Sequence, residues 1–212
     1  MVLPNAVDES WLTIPNRRQE IRDRLGLRDE ITVSFVGWFV SWHRLSRLIE
    51  VFAKVVAEHP GLRLLLVGDG PLKAELVRQA DKLGVREAIL FPGSIAHSEV
   101  PAYLDASDIS VVPHSNEYRS PIKLFEAMAR GRIVIAPRTE PVESVAIDGE
   151  SALLFDPENV VDLQQCLLRA IELLRKNTPI GDVARLHISN RHKWIHNARA
   201  VVKQVAAASE VK

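Results

Sequence analysis

From Ile31 to Leu174, short apolar runs alternate with segments of helical period, and this alternation limits the possible folds more than any other feature of the chain. The runs are Ile31 to Val36, Leu62 to Val67, Ala88 to Phe91, Ile109 to Val112, Ile133 to Ala136 and Ala152 to Phe155. Runs so short and so uniformly apolar read as strands covered on both faces. Between the first two, Leu45, Leu48, Ile49, Phe52, Val55 and Val56 recur at helical spacing, so Arg44 to Glu58 reads as an amphipathic helix lying on a sheet. Leu72 to Leu83, Ser98 to Ala106, Pro141 to Ile147 and Val160 to Leu174 read as further helices, and Ile180 to Val205 as a helical end bent near Ser189. Strands that return through helices lie parallel with right-handed crossovers. The expected class is therefore α/β, a doubly wound parallel six-stranded sheet of the Rossmann-like type.

Residues 1–15 are punctuated by proline and have no period, so they read as an interdomain linker. Asn16 then caps a helix running to Leu25 before Gly26, and residues 16–212 read as one domain with C-terminal helices. Lys plus Arg and Asp plus Glu both total 27, giving zero formal charge and no electrostatic footprint for nucleic acid. Met1 to Asp8 shows neither a basic leader nor an apolar signal segment, and no later run approaches the ~20 residues of a transmembrane span, so a cytoplasmic protein is expected. Cys166 is the only cysteine, which excludes an intrachain disulfide and a cysteine-based zinc site. Its neighbours Leu163, Leu167, Ala170 and Ile171 make it a buried structural thiol.

In a doubly wound sheet of order 3-2-1-4-5-6, strands one and four lie side by side where the winding reverses, and ligands bind outside their carboxyl ends. The loops there are Trp38 to His43, and Pro113 to Ser120 with His114, Asn116, Glu117, Tyr118 and Arg119. The second loop leads into the stretch Ser120 to Ala136. Ser120 is a good N-cap, Pro121 suits the first helical position, and Gly131 ends the helix before a β-branched strand. Ile122, Phe125, Met128 and Ala129 fall on one helical face, with Lys123, Glu126 and Arg130 on another. Free N–H groups and the macrodipole suit this helix start to an anion, and Lys123 adds to that sign. A solvated stripe of i,i+3 and i,i+4 ion pairs explains the same residues.

Several sites are excluded by missing patterns. No G-x-G-x-x-G follows the first strand, and Gly68-Asp69-Gly70 reads as a tight turn. A Walker A loop, a G-x-S-x-G elbow and an H-E-x-x-H helix are absent. His192 and His196 are spaced to share a helical face near His187, but no carboxylate or cysteine stands at a ligand spacing, and no metal is assigned. Trp194 reads as packing for the last helix.

Taken together, Pro4-Asn5-Ala6-Val7-Asp8, Val36-Gly37 with Trp42-His43, Leu66 to Pro71, Phe91-Pro92-Gly93, Tyr103 to Asp108 and Ser120 to Gly131 resemble, in order, the carboxyl-terminal donor-binding domain of retaining GT-B glycosyltransferases (glycosyl transferases group 1). The resemblance implies a nucleoside-diphosphate sugar as donor substrate, no cofactor, and transfer of the sugar to an acceptor hydroxyl with retention. It implies that Glu126 binds the ribose, that Gly93, Ser94 and Ile95 lie beside the base, and that Pro121, Ile122, Lys123 and Leu124 lie beside the phosphates, with Gly37 and Ser120 in the same crevice. Where the family often has an acidic residue eight positions before Glu126, this chain has Tyr118, with Glu117 one place off. A common arginine and lysine of the first loop correspond to Trp38 and His43, and a frequent glycine to Arg44. Phosphate charge then falls to Lys123, Arg44 and the helix start, with His43 beside them. The resemblance also implies an amino-terminal acceptor domain, in cis or in trans, with no counterpart in these residues. A nucleotide-sugar epimerase of the same architecture and a non-catalytic partner module with a degenerate donor site are the alternative readings.

Overall fold

The computed structural model describes residues 2–209. Its strands are β1 (Ile31–Val36), β2 (Leu62–Val67), β3 (Ile89–Gly93), β4 (Ile109–Val111), β5 (Ile133–Pro137) and β6 (Leu153–Phe155). All pairings are parallel, in the order β3-β2-β1-β4-β5-β6. Strands β1 and β4 meet with Val33 opposite Ile109 and Ser34 opposite Ser110, so the winding reverses where the sequence expects it. The helices are α1 (Ser10–Thr13), α2 (Arg18–Leu25), α3 (Leu45–Glu58), α4 (Lys73–Lys82), α5 (Val100–Ala106), α6 (Ile122–Ala129), α7 (Glu140–Glu143), α8 (Val160–Arg175), α9 (Ile180–Arg191) and α10 (Trp194–Ser209).

Alternation along the strands builds two cores. Val33, Phe35, Leu64, Leu66, Ile109 and Ile135 pack against α3, α4 and α8. Leu65, Val67, Val134, Ala136 and Leu154 face the layer that contains α5, α6 and α9. Cys166 is buried on α8, and burial pushes its thiol up to about 11, the behaviour of a structural cysteine.

The structure departs from the sequence reading where distant segments compete for backbone groups. Residues 4–14 lie against the domain: Trp11 is buried, and Asn5 N–H donates to Ser120 Oγ at 3.1 Å while Asn5 Nδ2 donates to Ser120 O at 2.6 Å. Ser120 is therefore not the N-cap of α6. Pro121 occupies that position and α6 begins without a side-chain cap. The terminal helical run breaks at His192 and Lys193 rather than at Ser189, because Val7 N–H donates to His192 O and Trp194 N–H donates to Val7 O. That break separates His192 from His196. His192 lies 3.3 Å from His187 through Nε2 atoms, while His196 Nδ1 accepts from Lys193 N–H. Trp194 is half-exposed rather than packed.

Arg130 does not belong to a solvated stripe. It is buried, with Nε and Nη2 each 2.9 Å from a different oxygen of Asp105, and its Nη1 donates to Trp11 O and Ile14 O. Beside it, Arg22 donates to the carbonyls of Arg28, Glu30 and Ala106, and Arg18 pairs with Asp108 at 2.7 Å. This cluster ties α2, α5 and α6 together at the amino-terminal ends of the strands. Among the described residues, no helix is long and apolar enough to cross a membrane.

Candidate functional site

At the carboxyl ends of β1, β2 and β3 the connecting loops are in backbone contact. A Cβ on Gly68 would lie 1.9 Å from Gly37 O, and one on Gly70 would meet the Phe39 backbone at 2.6 Å, so these positions admit only glycine. Gly37 N–H donates to Val67 O at 3.0 Å, and Gly68 N–H donates to Gly93 O at 2.9 Å. The three strand exits thus form one fixed wall. The start of α6, carried by β4, stands across from it.

Between them lie two cavities joined at Ile122 and Lys123. The first, about 330 Å³, is lined by Val36, Gly37, Val67, Ser94, Ile95 and Val100, with His97 and Glu126 at one side and Trp38 at the rim. The second, about 550 Å³, is lined by Trp42, His43, His114, Ser115, Asn116, Tyr118, Arg119, Ser120 and Pro121, and reaches Asn5.

Lys123 sits at the junction. Its Nζ lies 3.2 Å from His43 Nε2 and 5.0 Å from the centre of the Phe35 ring, and a Cβ on Gly37 would come within 3.3 Å of it. Burial lowers its amine to about 8, against a pull upward from Glu126. Burial and then the Lys123 charge push His43 down to about 4, so near neutral pH it is an uncharged imidazole whose Nε2 accepts from the ammonium. Glu126 is buried, which raises its carboxyl above the usual glutamate value, and its Oε1 lies 3.1 Å from His97 Nε2. Its other oxygen has no hydrogen-bond partner among the described residues. His97 is itself three-quarters exposed and meets the edge of Trp11.

The structure thus brings together Gly37, His43, Ser94, Ile95, Tyr118, Ser120, Pro121, Ile122, Lys123 and Glu126. It does not bring Leu124 to them, and it sets Arg44 at their edge. Arg44, held at φ +50°, pairs with Glu158 at 2.7 Å and donates to Pro157 O; it lines neither cavity but shares an adjoining depression with His114, Ser115, Asn116 and Tyr118. Leu124 is fully buried in the core beneath α6, where the helical period places it. Gly93 ends β3 and accepts from Gly68 N–H, but it lines neither cavity. Ile122, expected on the apolar face, is 45% exposed at the mouth. The sequence reading did not single out His97; its nearness to Glu126 comes from the fold of a separate segment. Among the described residues no group of three or more His, Cys, Asp or Glu could hold a metal ion.

A parallel sheet with a cleft at its switch point, a lysine at an uncapped helix start and a buried acid beside it define a doubly wound α/β domain with a polar ligand cleft. Comparison with known proteins then assigns the family: the chain belongs to the glycosyl transferases group 1, whose sequence model matches residues 17–201. It is 27% identical over 175 residues to an alpha-monoglucosyldiacylglycerol synthase of Streptococcus pneumoniae, covering 80% of this chain and 39% of that protein. It is 28% identical over 199 residues to a GDP-mannose-dependent alpha-(1-6)-phosphatidylinositol monomannoside mannosyltransferase of Mycolicibacterium smegmatis, covering 91% and 52%. The chain thus spans about half or less of the length of these curated relatives. Among solved structures, Anabaena Alr3699/HepE in complex with UDP superposes with a TM-score of 0.85 at 21% identity, covering 95% of this chain and 56% of that one. The fold is that of one half of a GT-B glycosyltransferase.

Proposed function

We propose that this chain binds a nucleoside-diphosphate sugar and supplies the donor half of a glycosyltransferase that passes the sugar to an acceptor hydroxyl with retention. The observation that carries this reading is the placement of Lys123 and the uncapped start of α6 where the two cavities meet. A nucleoside in the smaller cavity would put its ribose within reach of the Glu126 carboxylate, which can accept from vicinal hydroxyls. Its diphosphate would then lie across Gly37 against the Lys123 ammonium and the first N–H groups of α6. As the glycosidic bond breaks, charge accumulates on the departing diphosphate, and donors already fixed there stabilise it without reorganisation.

On this reading residues 1–15 lead from an amino-terminal acceptor-binding domain, in cis or in trans, and residues 16–212 form the donor domain. Turnover requires both halves. The test is calorimetry with a panel of nucleotide sugars on the wild-type chain and Glu126→Ala. The expected result is about a tenfold loss of affinity in the variant with unchanged thermal unfolding. Equal affinity would remove Glu126 from the site, and no binding by the wild type at millimolar donor would favour a non-catalytic module.

A further inference from the structure

The larger cavity differs from the smaller one in its charge. Apart from Lys123 at the junction, its lining contains one full charge, the guanidinium of Arg119, and no carboxylate. The remaining polar groups are the imidazoles of His43 and His114 and the side chains of Asn5, Ser115, Asn116, Tyr118 and Ser120. Arg119 has no ion-pair partner among the described residues; its guanidinium lies 6.0 Å from the centre of the Tyr118 ring. The nearby acids are occupied or turned aside. Glu158 pairs with Arg44, and Glu117 opens on the neighbouring depressions rather than on this cavity. Lys123 and Arg119 both act on His43 to favour its uncharged form.

The amides and hydroxyls of this cavity serve the hydroxyls of any hexose and do not discriminate among them, so the group that can discriminate is the unpaired cation. It makes a good seat for an anion, because a guanidinium meets a carboxylate with paired hydrogen bonds. Given the reading of the smaller cavity as the nucleoside site, whatever the diphosphate carries beyond Lys123 enters the larger cavity. We infer that the sugar of the donor is itself acidic, a nucleoside-diphosphate uronic acid or a similarly carboxylated sugar, and that Arg119 selects it by binding the carboxylate. Tyr118, beside it in the lining, brings no negative charge that would repel such a sugar.

The test titrates this chain with two matched pairs, UDP-glucose against UDP-glucuronic acid and GDP-mannose against GDP-mannuronic acid. In whichever pair binds, the acidic member is expected to bind about tenfold more tightly. Arg119→Gln should bring that ratio to about one, and Arg119→Lys should keep part of it. Arg119 is exposed and its guanidinium makes no hydrogen bond, so neither variant threatens the fold. Equal or tighter binding of the neutral sugar, or an unchanged ratio in Arg119→Gln, would overturn the inference while leaving the donor-site reading intact. Failure of all four donors to bind would overturn both.

Discussion

At the two ends of one sheet the chain places similar charged residues in opposite circumstances. At the amino-terminal ends of the strands, Arg130 and Asp105 are buried together and each makes several hydrogen bonds, while Asp108 accepts from Arg18 and from Thr32 N–H. At the carboxyl ends, among the described residues, Lys123 has one hydrogen-bond partner, Glu126 has one, and Arg119 has no ion pair. Saturated partners rigidify and leave nothing to offer a ligand. Under-satisfied groups in a cavity hold back hydrogen-bonding capacity that a ligand can complete. Partner count, rather than the number of charges, separates the structural cluster from the site.

The sharpest way to break this contrast is to disturb both ends in parallel. Asp105→Ala strands a buried guanidinium and should cost about 3–5 kcal/mol of stability, read as a large drop in the denaturation midpoint. Lys123→Met should leave the fold as stable as before or slightly more so, because it removes a desolvated ammonium, while weakening UDP or GDP binding about a hundredfold. If Asp105→Ala were neutral and Lys123→Met unfolded the domain, the assignment of the two ends would be reversed.

A smaller effect follows from acidity. The Lys123 amine is lowered to about 8 in the folded chain and is near 10.5 when unfolded. Between those values the unfolded chain holds more protons, so the Lys123 contribution to stability rises with pH across that window. Nucleoside-diphosphate binding needs the charged amine and should fall over the same window. Opposite slopes for unfolding and for binding between pH 8 and pH 10 would mark a lysine kept for a ligand. Parallel slopes would make Lys123 a structural residue.

Much of the fold could be read in the sequence because its signals are local. The apolar runs marked six strands, the doubly wound template supplied their order, and Gly131 marked the end of α6 within two residues of Ala129. What escaped depends on segments far apart in the chain. Ser120 has the chemistry of a cap, yet Asn5, more than a hundred residues earlier, takes its hydroxyl. Arg130 follows a helical surface pattern, yet the loop from Trp11 to Ile14 and the Asp105 carboxylate bury it. Leu124 falls in a motif that resembles a phosphate contact, but the 3.6 period turns its side chain into the core. Arg44 and His97 show the same limit from opposite sides: one is held by Glu158 at the edge of the larger cavity, and the other is brought to Glu126 by the turn after β3.

The most direct measurement compares uridine, UMP and UDP, with the guanosine series alongside, by titration into the wild-type chain and Lys123→Met. If the junction of the two cavities grips a diphosphate, affinity in the base series that binds rises steeply with the second phosphate, and Lys123→Met abolishes that step while leaving nucleoside binding in place. Nucleoside and diphosphate binding with equal affinity, or a phosphate step that survives Lys123→Met, would contradict it.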